Sequence, residues 1–244
     1  MPGDVNIAAI ASLLADPTRV SVLMALGDGR ALPAGELAQR ARVASSTVSM
    51  HLSKLVEYGL LDVKQQGRHR YFRIANPSVT EALEALAPLA PTLPVRSLRD
   101  ADVGNALRRA RMCYKHLAGA LGVALSQALV EKQILESAGD DYILTETGKD
   151  WLCEFGIDAP LFQKQKYLLV PSHIDWSERY PHVAGTFGMA FTERLLDIGW
   201  IAHMPTSRAI RVTEVGRQKL PEVFGISLDG EMPHAPLRKM SYAI

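Results

Sequence analysis

The chain has 244 residues, 48% hydrophobic and 22% charged, with a net charge of +1. That describes a globular protein with room for two modest domains, and it excludes a disordered or uniformly basic one. Two cysteines, Cys113 and Cys153, exclude a disulfide framework. The N-terminal stretch has no basic segment leading a long apolar run, and nothing reaches the length of a membrane span, so a cytoplasmic protein with no membrane partner is expected.

Ile7, Ile10, Leu13 and Leu14 give Val5–Leu14 helical spacing. Asp16 is placed to cap a second helix that starts at Pro17 and runs to Leu26, where Gly27, Asp28 and Gly29 stop it. The stretch from Ala31 to Ile74 organises the rest. Pro33 suits a first helical position. Leu37 and Ala41 then face inward, and Arg42 and Val43 form a connection. Ser45 is read as the N-cap of the next helix. In that helix Val48, Leu52, Leu55 and Val56 make one apolar stripe.

The outward positions of that helix are Ser46, Thr47, Ser49, Met50, Ser53 and Lys54, with no acid before Glu57. A small, polar and basic face of this kind suits close approach to phosphates and base edges. Gly59 ends the helix as a C′ glycine. Asp62 to Gln65 and His69 to Ile74 then alternate as strands around a Gln66-Gly67 turn. The tip carries Lys64, Arg68, His69 and Arg70, followed by Tyr71 and Phe72. Between Arg42 and Arg73 six bases face only two acids, Glu57 and Asp62, so the basic surface is local to this motif. The expected DNA contacts are Arg42, Ser45, Ser46, Thr47, Ser49, Met50, His51 and Lys54 from the helix. Gln66, Arg68, His69, Arg70 and Tyr71 are expected from the hairpin.

Asn76 and Pro77 start another helix, with Val79, Leu83, Leu86 and Leu89 on one face. The segments DPTRVSVLMAL (Asp16 to Leu26), SSTVSMHLSKLVEYGLL and QGRHRYFRI together resemble the winged helix-turn-helix of the ArsR/SmtB family of bacterial repressors. The resemblance covers roughly the first 85 residues. It implies a homodimeric repressor of double-stranded operator DNA, with the first and last helices of the domain as the dimer interface. Many members of that family sense metals through cysteines or histidines. Where the family's thiol motif lies, this chain has Leu32 to Leu37 without cysteine, and Pro77 to Leu86 offers only Glu81 and Glu84.

Pro88, Pro91 and Pro94 mark a stiff connector. The domain scheme is therefore residues 1–87 for DNA binding and dimerisation, 88–104 as linker, 105–228 as an effector or assembly domain, and 229–244 as a tail. The second domain reads as an internal duplication, at about 105–158 and 174–228. YKHLAGALGVAL from Tyr114 answers to YPHVAGTFGMAF from Tyr180, and TETG at Thr145 answers to TEVG at Thr213. Each copy is expected to run long helix, β-hairpin, short helix, with Thr145 and Thr213 as caps. The two glycines of each H-x-A-G-x-x-G would let the long helices cross closely. The fold class is mainly α with small β-hairpins, an α+β protein.

No glycine-rich phosphate loop, nucleophile elbow or H-E-x-x-H occurs, so no enzyme is read. Cys113 and His116 share spacing that suits a metal or a reactive thiol, with Arg109, Arg111 and Lys115 nearby. Two ligands do not make a zinc site, and Cys153, His173 or His182 would have to arrive by folding; no metal and no cofactor are assigned. A small organic effector between the repeats is expected instead, lined by Cys113, Tyr114, His116, Trp176, Tyr180, His182, Phe187 and Trp200. The function read is a dimeric, ArsR-like transcriptional repressor. The alternatives are a thiol or metal sensor through Cys113 and His116, or a winged-helix interaction module that does not bind DNA.

Overall fold

The computed structural model describes residues 4–91, 94, 97–157, 162, 168–205 and 207–228. The expected tail from 229 onward and residues 92, 93, 95 and 96 of the connector lie outside the described residues.

One apolar core holds the first part of the chain, built on Leu13, Val22, Leu23, Leu26, Leu37, Val48, Leu52, Leu55 and Phe72. Helix α1 (Ile7–Leu14) is capped by Asn6 and α2 (Pro17–Leu26) by Asp16, whose carboxylate accepts the Arg19 N–H at 2.9 Å. A short β1 (Leu32–Pro33) precedes α3 (Ala34–Ala41), so Pro33 ends in extended conformation just outside the helix rather than at its first position. Arg42, at φ +56°, turns the chain into α4 (Ser45–Glu57). Ala44 occupies the N-cap position and contributes no side-chain bond. Ser45 therefore opens the helix instead of capping it, because the extended backbone lies at Ala44. Gly59, at φ +70°, closes α4, with the Leu60 N–H donating to the Leu55 carbonyl at 2.9 Å.

The hairpin follows as β2 (Leu61–Gln66) and β3 (His69–Ile74), in register from Leu61 with Ile74 to Gln66 with His69. Its turn is Gly67-Arg68, one residue later than expected, because Gln66 is still paired and the φ of +60° falls on Gly67. β1 completes the sheet by pairing Leu32 with Phe72. Helix α5 (Pro77–Leu86), capped by Asn76, closes this unit.

Helix α6 (Leu98–Arg109) begins inside the stretch read as linker. A second core then gathers Leu117, Leu121, Leu125, Leu129, Leu144, Leu152, Phe187, Phe191, Leu195 and Leu220. Its elements are β4 (Arg111–Cys113), β5 (His116–Ala118), α7 (Ala120–Glu131), β6 (Leu135–Ala138), β7 (Asp141–Leu144) and α8 (Glu146–Glu154). They are followed by β8 (Leu168–Val170), which pairs with β7, and then β9 (Ser172–Ile174), β10 (Pro181–Val183) and α9 (Gly185–Asp197). β11 (Ile201–His203), β12 (Ile210–Val212) and α10 (Glu214–Phe224) complete the described elements. Thr145 and Thr213 accept the N–H groups of Gly148 and Gly216 at 2.8 and 3.0 Å, as N-caps of α8 and α10.

The H-x-A-G-x-x-G segments are not helical throughout, which corrects the expected crossing of helices at paired glycines. His116–Ala118 and Pro181–Val183 are strands; Gly119 is the N-cap of α7 at φ +79° and Gly185 opens α9 at φ +60°. A Cβ on Gly122 would lie 2.5 Å from the Leu117 carbonyl oxygen, and one on Gly188 would lie 2.7 Å from that of Val183. These glycines let each helix fold back on the strand that feeds it. The two hairpin–helix units then exchange contacts. The Leu117 N–H donates to the Thr192 hydroxyl at 2.8 Å, and the Val183 N–H donates to the Ser126 hydroxyl at 2.9 Å. Both hydroxyls pass the bond on, to the carbonyls of Gly188 and Gly122. Among the described residues no single helix is long and apolar enough to cross a membrane.

Candidate functional site

The apolar stripe of α4 is fully used in the core, and this fixes which face remains. Val48, Leu52 and Leu55 are buried, so Ser45, Ser46, Ser49, Met50, Ser53 and Lys54 are exposed and Thr47 is half-buried. Met50 keeps 65% of its surface exposed, which no packing among the described residues explains. The Ser49 hydroxyl donates back to the Ser45 carbonyl at 2.8 Å, a local bond that water or DNA can replace. His51 does not belong to this face: it is 8% exposed, with Nδ1 3.7 Å from the Asp16 carboxylate. It lies beside Leu52 on the buried side, where the short histidine ring reaches the cap of α2.

In the wing, Lys64, Gln66, Arg68, His69 and Arg70 are exposed, and Tyr71 is half-buried opposite Pro33 and Lys64. The Arg70 guanidinium lies 5.2 Å from the Phe72 ring centre, which stiffens the arginine without neutralising it. Arg73 pairs with Asp62 at 3.1 Å. Arg42 meets Asp100, near the start of α6, at 2.6 Å; the side chain expected to reach DNA is engaged by an acid that no spacing in the motif announces.

The residues expected to line an organic effector pocket do not share one cavity. Phe187 is buried against Phe162 and Phe191, and Trp200 packs edge-on to Phe155 at 5.7 Å in an aromatic cluster with Trp151 and Phe224. Trp176 lies under the Arg111 guanidinium at 4.4 Å. Tyr114, at φ +57°, forms the tip of the β4–β5 hairpin. Of the eight, only Tyr180 lines the cleft between α7 and the chain after α10, whose volume of about 220 Å³ is small for a drug-sized molecule.

Cys113, His116 and His182 do converge, and His173 joins them. Cys113 stands across from His116 in the β4–β5 hairpin, and His173 stands across from His182 in the β9–β10 hairpin. One ligating atom from each of the four lies within 4.8 Å of the others. The Cys113 sulfur is 3.8 Å from His173 Nδ1, and the His116 ring centre is 5.1 and 5.2 Å from those of His173 and His182. Cys113, His116 and His182 are buried; His173 is half-buried. The sequence shows only Cys113 and His116 as neighbours, and folding supplies the other two. The exchange of hairpins between the two units was the missing signal.

Burial disfavours the charged forms of Cys113, His116 and His182. It pushes the Cys113 thiol well above its ordinary range, which corrects the expectation of a thiolate favoured by neighbouring bases. Burial, with the neighbouring histidines, holds His116 well below the usual imidazole range. Burial also brings His182 down to about 4, although Asp175 pulls the other way. Asp175 itself is fully buried. Burial opposes its ionisation, but the Arg111 guanidinium at 2.8 Å, the Ser177 hydroxyl and the Gly119 N–H outweigh that and bring its pKa to about 2.

The cluster is wired to the DNA-binding unit. Arg208 donates to Glu84 of α5 at 2.8 Å and to the Met112 carbonyl at 3.3 Å, next to Cys113; both charged groups are buried. The Tyr114 N–H donates to the Gly27 carbonyl at the end of α2 at 2.6 Å. Arg30 and Arg40 donate to the carbonyls of Ser207 and Pro205.

Comparison with known proteins agrees with the first unit and extends past it. The helix-turn-helix domain family matches residues 14–64. An uncharacterised HTH-type transcriptional regulator of Bacillus subtilis, YdfF, is 41% identical over 212 residues, covering 87% of this chain and 94% of that one. The HTH-type transcriptional regulator CmtR of Mycobacterium bovis is 39% identical over 77 residues, 32% of this chain and 64% of CmtR. Among solved structures, NolR of Sinorhizobium fredii covers 36% of this chain and 86% of its own at 28% identity, with a TM-score of 0.33. HlyU of Vibrio cholerae covers 35% and 90% at 24% identity, with a TM-score of 0.32. The YdfF match spans both cores, so the chain belongs as a whole to the HTH-type transcriptional regulators, a class of DNA-binding proteins and not of enzymes.

Proposed function

We propose that this regulator is a homodimeric, ArsR-like repressor that reads operator DNA in the cytoplasm with α4 and the β2–β3 wing. The observation that carries the reading is the exposed, acid-free face from Ser45 to Lys54 beside a hairpin tip bearing Arg68 and Arg70. The helix suits base edges and the hairpin suits phosphates. Self-association is supported by apolar side chains left in solvent on the same unit: Ile7 is 67% and Leu89 is 81% exposed, and Ile10 and Leu86 are partly so. A second copy of this surface would cover them.

Residues 1–87 act as the reading head and 105–228 as the part that receives a signal. The bonds from Met112 through Arg208 to Glu84 support such a route, because α5 carries both Glu84 and part of the exposed apolar surface. Selection of bound sequences from a random duplex pool by the full chain tests the reading. Two inverted half-sites about one helical turn apart, roughly 34 Å, are expected. Enrichment of a single half-site contradicts the dimer, and no enrichment contradicts operator recognition.

A further inference from the structure

We propose that Cys113, His116, His173 and His182 form a four-coordinate site for a divalent transition metal ion of the zinc class. The donors come as two cross-strand pairs, Cys113 with His116 and His173 with His182, one pair from each hairpin–helix unit. Their ligating atoms lie within 4.8 Å of one another. In a tetrahedral site with metal–ligand bonds of 2.0–2.3 Å the ligands are roughly 3.3–3.8 Å apart. The Cys113–His173 separation of 3.8 Å already meets that value, and no other pair is farther apart than 4.8 Å.

The independent observation is unmet bonding capacity. His116 Nε2 and both ring nitrogens of His182 are buried without a hydrogen-bond partner among the described residues. Buried polar atoms are almost always paired, and unpartnered nitrogens on two rings of one cluster call for a ligand that accepts a lone pair from each ring. The neighbouring rings do not satisfy them either: none of these three nitrogens has a hydrogen-bond partner on another ring of the cluster. Outside the quartet, an Asp175 oxygen lies 3.9 Å from His182 Nδ1, too long for a hydrogen bond but on the side from which a carboxylate orients a metal-bound imidazole. Asp175 is itself fixed by Arg111 and by the Gly119 N–H.

One thiolate with three imidazoles suits Zn²⁺ or Co²⁺ better than hard cations such as Mg²⁺ or Ca²⁺, which take oxygen ligands. On binding, the Cys113 thiol gives its proton to solvent as the sulfur–metal bond forms, and the histidines bind as neutral rings. His173, the half-buried member, provides the side from which an ion can enter. The ion would tie the two hairpin–helix units together at the point where their hairpins meet.

The test uses the purified full-length chain, stripped of metal and titrated with Co²⁺ without DNA, so its failure leaves the operator-binding reading untouched. The expected result is one Co²⁺ per chain, with intense tetrahedral visible bands and a thiolate-to-cobalt charge-transfer band, both abolished by one equivalent of Zn²⁺. Cys113→Ser should lose the charge-transfer band and Cys153→Ser should keep it. His173→Gln, at the more exposed position, should fold and bind at least tenfold more weakly. Absence of stoichiometric uptake, octahedral spectra, a charge-transfer band that follows Cys153, or unchanged affinity in His173→Gln would each overturn the proposal.

Discussion

The two units of this regulator solve the placement of polar groups in opposite ways. In the reading head, most polar and basic side chains of α4 and the β2–β3 hairpin point out of a core that Leu13, Val48, Leu52 and Phe72 fill, with His51 the buried exception, and the working surface is whatever the core leaves over. In the C-terminal unit, polar groups point in: Arg111, His116, Asp175, His182 and Thr192 are all buried, and Arg111, Asp175 and Thr192 are bonded to residues far away in sequence. A surface built from leftovers tolerates substitution of its own residues without unfolding. An interior built from charges does not, because breaking a buried pair strands the partner in a medium that cannot solvate it.

That contrast is sharpest at Asp175. Asp175→Ala leaves the Arg111 guanidinium buried with no carboxylate. It should destabilise the C-terminal unit by about 3–5 kcal/mol. Thermal melting followed by tryptophan fluorescence reads this directly, since Trp151, Trp176 and Trp200 all lie beyond residue 105. If the melting temperature stays within a degree or two of the parent, the buried pair is not what holds this interior.

A smaller effect is expected at the glycines of α7 and α9. Gly122→Ala and Gly188→Ala each add a methyl where the carbonyl of Leu117 or Val183 stands 2.5 or 2.7 Å away. Helix propensity favours alanine by about 1 kcal/mol. Overpacking of this kind costs about 1–3 kcal/mol, so a net loss is expected. Gly35→Ala in the reading head is the matching control, since its Cβ would meet nothing within 4 Å. Urea unfolding of the three variants makes the comparison; a stabilised Gly122→Ala would show that the strand can withdraw from the helix.

The same contrast explains what could be read from residues alone. The reading head was legible because its signals are local. Asp16-Pro17, Asn76-Pro77 and Gly59 are caps and stops that act within one turn, and the stripe from Val48 to Val56 sets the face of α4. What the local signals did not show is where a distant group acts: His51 turns inward to Asp16, and the exposed Arg42 meets Asp100. In the C-terminal unit β4, β5, β9 and β10 have three residues each, too few to show a period, and YKHLAG was read as helix because its small residues continue into α7. The similarity of the H-x-A-G-x-x-G segments was visible, and so were the caps at Thr145 and Thr213. The convergence of His173 and His182 on Cys113 was not, because it depends on one hairpin packing against the other unit's helix.

The most direct measurement of the central claim, that the wing and α4 are a DNA-reading surface, is the salt dependence of binding to a selected operator. Log affinity against log salt should be linear and steep for the parent. Arg68→Ala and Arg70→Ala should each lower affinity for every duplex tried and flatten the slope by about one unit. Ser46→Ala should leave the slope unchanged while altering which sequence is preferred. Wing variants that bind with the parent's affinity and the parent's slope would contradict the account.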